Sequence, residues 1–233
     1  MITLVILFGF AVTPTYAGTF SDNFDDGNAD GWWLGYSQYT PWVNGNWRIE
    51  TGELVNDQPG DQFNALVQDI QVASQTAEVS LKTNGPSGYG GIALWYQDDN
   101  NWLNILIYPA AQEIWVIEHI DGVNNLSRYP FSPVSDNTWY ELKIEANSSN
   151  GELKIYVDDN YILAHQTLTT HRIGKSGVNN GNAGSFFDNF KVSADSIIDP
   201  LIGKIQCKNN GWKLFTNPTF KNQGACISYL ESN

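Results

Sequence analysis

The chain has 233 residues, 13% of them aromatic, and its 25 acidic against 12 basic side chains give a formal net charge of −13. That balance disfavours nucleic acid and anionic membrane surfaces as partners, because both carry the same sign. It is compatible with a bound cation or a neutral ligand such as a sugar, and the length suits one large β domain or two small ones.

Residues 1–17, "MITLVILFGFAVTPTYA", hold an apolar run from Leu4 to Val12 followed by Thr-Tyr-Ala. The run is too short to span a bilayer. Its small-residue end reads as a secretory signal, against the alternative of a buried N-terminal strand. The expectation is export, to an extracellular or periplasmic location, without membrane insertion.

Beyond the signal, apolar residues alternate with polar ones. The period of two predicts strands over 65–72, 76–83, 91–97, 102–108, 113–120, 139–146, 151–159 and 185–193. Between them stand turn-forming stretches, "QDDNN" at 97–101, "DGVNN" at 121–125 and "NSSNG" at 147–151. The Gly-rich "NGPSGYGG" at 84–91 lacks the lysine and following helix of a phosphate loop and reads as a hairpin connection. Many short strands with close turn signals predict an all-β domain over 18–195, a two-sheet antiparallel β-sandwich.

The alternation stops at 196–203, where Pro200 marks a linker. The segment 204–233 carries Lys204, Lys208, Lys213 and Lys221 against Glu231, the opposite sign to the body. It also holds both cysteines, Cys207 and Cys226. In an exported protein these are expected to pair, stapling a segment too small for a core of its own. Closing a loop of about 20 residues contributes on the order of 3 kcal/mol in the chain-entropy model.

Two phrases echo each other, "FSDNF" at 20–24 and "FFDNF" at 186–190. Strand alternation would set Phe20, Asp22 and Phe24 on one face, and Phe186, Asp188 and Phe190 on another. An acid between two core phenylalanines needs a partner. Calcium held by Asp22, Asp188, Asp25 and backbone carbonyls is one answer; a turn cap, or pairing with Arg48 or Arg172, is the other.

Aromatic residues supply the candidate ligand contacts. "GWWLGYSQYTPW" at 31–42 concentrates Trp32, Trp33, Tyr36, Tyr39 and Trp42. Such rings stack on the apolar faces of sugars, or else plug an end of the sandwich. With Ile92, Leu94, Leu103, Ile105 and Ile107 pointing inward, alternation sends Trp95, Trp102, Asn104 and Tyr108 outward, and Trp115 and His119 would join them from the next strand. The competing role for these side chains is packing beneath loops. A glycosidase needs two carboxyls about 5 to 10 Å apart. The nearest pairs, Glu50 with Glu53, Glu113 with Glu118 and Glu141 with Glu145, give no compelling catalytic pattern, so no catalytic residue is assigned.

Several phrases in order resemble the concanavalin A-like (laminin-G-like) jelly-roll superfamily, near secreted bacterial sugar-binding and 3-keto-disaccharide hydrolase-like domains. They are "FSDNFDDGNADGWW", "NWRIETGELV", "GGIALWYQDDNNWLNILI", "NTWYELKIEANSSNGELKIYVDD" and "GKSGVNNGNAGSFFDNFKVS". The resemblance implies a jelly roll whose first and last strands lie side by side with a structural calcium near them, and a concave face that takes the ligand. The expected function is an exported, non-catalytic carbohydrate-binding module whose partner is a glycan or polysaccharide. A glycoside hydrolase of the keto-disaccharide type and a structural or adhesion sandwich are the alternatives.

Overall fold

The structure, a computed structural model, describes residues 16–37, 44–60, 62–68, 70–85, 87–182, 184–198 and 221–225. Residues 1–15, Tyr39, Trp42, Cys207 and Cys226 lie outside the described residues, and of Tyr36 only the backbone is described.

In chain order the strands are β1 (Tyr16–Asp22), β2 (Trp32–Ser37), β3 (Trp47–Glu50), β4 (Glu53–Asn56), β5 (Phe63–Val67), β6 (Gln71–Val72), β7 (Gln75–Thr83) and β8 (Tyr89–Asp98). They continue with β9 (Asn101–Tyr108), β10 (Glu113–Ile120), β11 (Val123–Pro130), β12 (Tyr140–Ala146), β13 (Glu152–Val157), β14 (Asn160–Gln166), β15 (Lys175–Gly181) and β16 (Ser185–Ile198). Two antiparallel sheets result. The back sheet runs β14-β13-β12-β7-β16-β4-β3, with β1 and β6 also paired to β16, and the front sheet runs β11-β10-β9-β8-β15-β5-β2. Among the described residues no helix is long and apolar enough to cross a membrane.

Alternation explains the core. From the front sheet Ala65, Val67, Ile92, Leu94, Leu103, Ile105, Ile107, Ile114, Val116 and Val178 point inward. They meet Leu54, Val79, Leu81, Leu142, Ile144, Leu153, Ile155, Phe187 and Val192 from the back sheet. Each large aliphatic side chain buried this way stabilises the sandwich by about 1.5–3 kcal/mol. Tight turns close the long hairpins: Asp121-Gly122 joins β10 to β11 and Asp158-Asp159 joins β13 to β14, all four at positive φ. That geometry matches the right-handed twist of the flanking strands.

Four predicted elements differ, one being the strand predicted over 185–193, which runs on as β16 to Ile198 and into the stretch predicted as a linker. The stretch 65–72 is two strands, since β5 belongs to the front sheet and β6 to the back. The stretch 84–91 is no hairpin connection, because it passes from β7 in the back sheet to β8 in the front. The strand predicted over 151–159 ends at Val157, where the turn begins.

Two β-bulges change which side chains face inward. In β16, Asp188 pairs with Ser80 but Lys191 with Glu78, so β16 carries one extra residue, and Asn189 sits at φ 50°. In β8, Leu94 pairs with Leu103 but Asp98 with Asn101, and Trp95 sits at φ 49°. Extra residues of this kind break the two-residue period and re-aim the side chains that follow.

Candidate functional site

The first echo closes one end of the sandwich. β1 lies beside β16, with Phe20 opposite Val192 and Asp22 opposite Phe190. Trp32 is buried there, its ring 5.0 Å from Phe190, 5.6 Å from Phe24 and 5.8 Å from Phe20 between centroids. Asp22 accepts the Trp32 Nε1–H at 2.8 Å and the Phe24 N–H at 2.8 Å. The acid thus serves the indole and a turn, and Trp32 is the plug.

The second echo is built differently. Phe187, not Phe186, enters the core, and the bulge then turns Phe190 and Val192 inward. Asp188 is left on the outer face of the back sheet opposite Ser80, whereas Asp22 faces inward. The expected common face for Phe186, Asp188 and Phe190 is therefore corrected by the extra residue. Asp188 is nonetheless pushed above the usual aspartate range, first by burial and then by Asp25 and Asp22, against the lowering effect of the Asn189 N–H. Asp25 accepts from Asn23 Nδ2 at 2.6 Å and Asp188 from Asn189 N at 2.6 Å. Among the described residues no group of three or more His, Cys, Asp or Glu side chains is placed to hold a metal ion. The three carboxylates share a neighbourhood, and each accepts at least one N–H.

The outer face of the front sheet gathers the other candidates. Trp102, Asn104 and Tyr108 of β9 alternate with the inward Leu103, Ile105 and Ile107, and Trp115 and His119 of β10 lie on the same side. Trp102 stacks on His119 at 4.8 Å, with 11° between the rings. Tyr108 meets Trp115 edge-on at 4.7 Å, and Tyr89 completes the group at 5.4 Å from Tyr108. Trp33 lies 6.2 Å from Tyr96.

Trp95 does not join them. It is 1% exposed, packs in the core, and donates its Nε1–H to the Ala73 carbonyl at 2.7 Å. The β8 bulge turns it inward, so alternation from Leu94 misplaces it.

A cavity of about 470 Å³ opens on this face. Tyr89, Tyr108, Trp115, Ile117 and Leu126 form its apolar wall, and Gln62, Asn124 and Asn182 are its polar lining. Trp115 is held in place by donating to Glu113 Oε2 at 2.6 Å, with the Arg128 guanidinium 4.9 Å from its ring centre.

Behind the cavity runs a row of buried amides. Asn104 donates to Gln62 Oε1 at 2.7 Å, and Asn179 donates to Asn64 Oδ1 at 2.6 Å. Asn104 Oδ1, Asn179 Oδ1 and Asn64 Nδ2 find no partner among the described residues. The floor between them is nearly bare, formed by Gly91, Ala93 and Gly177. A Cβ on Gly91 would collide with the Ile105 carbonyl, and one on Gly177 with that of Ala65.

No family model and no curated protein sequence matches the chain. Solved structures do. The carbohydrate-binding module CBM66 from Bacillus subtilis aligns with a TM-score of 0.60 at 20% identity, over 72% of this chain and 98% of that one. A β-glucanase of Bacillus licheniformis aligns with a TM-score of 0.56 at 15% identity, over 76% of this chain and 98% of that one. A lichenase derived from a mouse hindgut metagenome gives 0.56 at 11% identity, over 76% and 99%.

The fold is a concanavalin A-like jelly roll. At such identities the likeness is one of architecture, and the chemistry must be read from the site. The acids considered for catalysis lie at several places in this jelly roll, with Glu50 opposite Glu53 in the β3–β4 hairpin. Glu113 faces the outer side and binds the Trp115 indole, whereas Glu118 faces the interior and binds His165 at 3.1 Å. Glu50 pairs with Arg48 and Glu53 with Lys82. Glu141 accepts from Ser80, and Glu145 accepts from Tyr156, on the outer face of the back sheet.

Gln62, Asn64, Asn179 and Tyr89 were not singled out by alternation. The signal that could have found Asn179 is the run "GVNNG" at 177–181, where every second position is Gly177, Asn179 and Gly181 instead of an aliphatic residue.

Proposed function

We propose that this protein is an exported glycan-binding module whose ligand occupies the cavity on the front sheet. One observation carries the reading: an aromatic wall of Tyr89, Tyr108 and Trp115 lines one cavity together with the amides of Gln62, Asn124 and Asn182. Sugar rings present apolar C–H faces to aromatic groups and hydroxyls to amides. A cavity of about 470 Å³ falls within the range of small-ligand sites, roughly 300–1,000 Å³. Gln62 links the two halves, since it lines the cavity and accepts from Asn104. Two of the similar structures are named as a carbohydrate-binding module and a β-glucanase, which supports the same ligand class.

The test is a glycan array on the intact chain, followed by calorimetry on any hit. Trp115→Ala and Gln62→Ala are each expected to weaken binding about tenfold or more. Unchanged binding by both variants would remove the cavity as the site.

A further inference from the structure

Residues 167–173 form a strap from β14 in the back sheet to β15 in the front sheet, and one buried carboxylate holds it. Glu118 of β10 is 2% exposed. It accepts the Leu168 N–H at 2.9 Å, the Thr169 N–H at 2.9 Å and His165 Nε2 at 3.1 Å. His165 is buried too, and its Nδ1 meets the Tyr129 hydroxyl at 2.7 Å. Thus β10, β11, β14 and the strap converge on a single acid between the sheets. The other charged groups around it have partners of their own. His171 of the strap faces Asp121 at 3.7 Å, and Arg172 donates to the Thr169 carbonyl at 2.9 Å. On β10 itself, Glu113 and His119 face the outer side.

We propose that Glu118 is an acid-sensitive latch. Its ionised form clamps the strap across both sheets; protonation frees the strap and loosens β10 and β11, which carry Trp115, Ile117, Asn124 and Leu126 of the cavity.

The chemistry of the acceptor gives the reason. An ionised carboxylate offers lone pairs to all three donors, whereas a carboxylic acid turns one hydroxyl toward them. Burial raises the Glu118 carboxyl, but the His165 hydrogen bond and the Thr169 and Leu168 N–H groups outweigh it, leaving it below the usual glutamate range. A group lowered on folding contributes stability that is present above the unfolded value and lost as pH falls through the folded one. His165 meets Glu118 through Nε2 and the Tyr129 hydroxyl through Nδ1.

The latch does not depend on the identity of the ligand, and its test uses none. Hydrogen–deuterium exchange is measured on the full chain at neutral pH and in steps down to about pH 2, well below the ordinary glutamate range. After correction for intrinsic rates, peptides covering 165–173 and 113–126 are expected to exchange at least about tenfold faster in acid, the factor of one lost charge-assisted hydrogen bond. Peptides from β12 and β13 keep their protection. Glu118→Gln at neutral pH opens the same two regions. If Glu118→Gln does not fold, the wild-type comparison decides alone. A strap that stays protected in acid overturns the latch. So does simultaneous loss of protection in the strap and in β12 and β13.

Discussion

Asp22 accepts the indole N–H of Trp32 at 2.8 Å, at the place where the first and last strands of the sandwich lie side by side. Phe20, Phe24 and Phe190 enclose the same ring. Asp22→Ala leaves a buried donor unpaired and is expected to cost about 1–3 kcal/mol. Asp22→Asn, which keeps one acceptor oxygen, should cost less. The shift of the urea midpoint at constant slope measures both, and equal stability of wild type and Asp22→Ala would contradict the plug.

Asp188 provides the test of calcium. A carboxyl raised on folding holds its proton more tightly in the folded state, so it withdraws stability as pH rises through the window above the ordinary aspartate range. In chelator at neutral pH, Asp188→Asn is therefore expected to raise stability, by no more than about 1 kcal/mol for a partly exposed group. Calcium bound with Asp22, Asp25 and Asp188 would raise the wild-type melting temperature, and Asp188→Asn would abolish that response. A wild-type melting temperature indifferent to calcium excludes the ion from this place.

Trp95 and Trp115 should behave as opposites. Trp95→Ala removes a core ring and its hydrogen bond to Ala73. A loss of about 3–5 kcal/mol is expected. Trp115→Ala takes away a cavity wall and should change stability by about 1 kcal/mol while lowering glycan affinity. Thermal unfolding and calorimetry on the two variants separate these roles.

Gly91 and Gly177 report on the floor of the front sheet. Gly177→Ala would drive a methyl group into the Ala65 carbonyl, and Gly91→Ala into that of Ile105. Neither neighbour is a flexible side chain that can swing aside, so each variant is expected to lose about 1–3 kcal/mol or more. Unchanged denaturant midpoints would show that the strands can part more easily than their packing implies.

Regular ladders made much of this arrangement legible in the sequence. Along β9 and β10 every residue keeps its partner, so counting by twos places Trp102, Asn104, Tyr108, Trp115 and His119 on the outer side. Counting fails where a residue other than glycine adopts positive φ. Trp95 and Asn189 do so, and each starts a stretch of opposite parity, which is why Trp95 and the Phe186–Phe190 face were misplaced. β15 was hidden for another reason. Its sequence "KSGVNNG" has one aliphatic residue, and its inward positions include Ser176 and Asn180, which bond across to Gln75 and Asn56. Cross-sheet pairing satisfies those polar groups, and no pattern within one strand can announce it.

β16 runs through the middle of the back sheet and touches β1, β4, β6 and β7. It is also the last strand among the described residues, and its Ile197 pairs with Tyr16 of the first. Until it emerges, the β3–β4 hairpin and the sheet built on β7 have nothing to bridge them. Pairings between such distant parts of a chain form slowly, because the loop must close before any contact rewards it. A growing chain would therefore carry both halves as separate, unsealed pieces until nearly the whole domain has been synthesised.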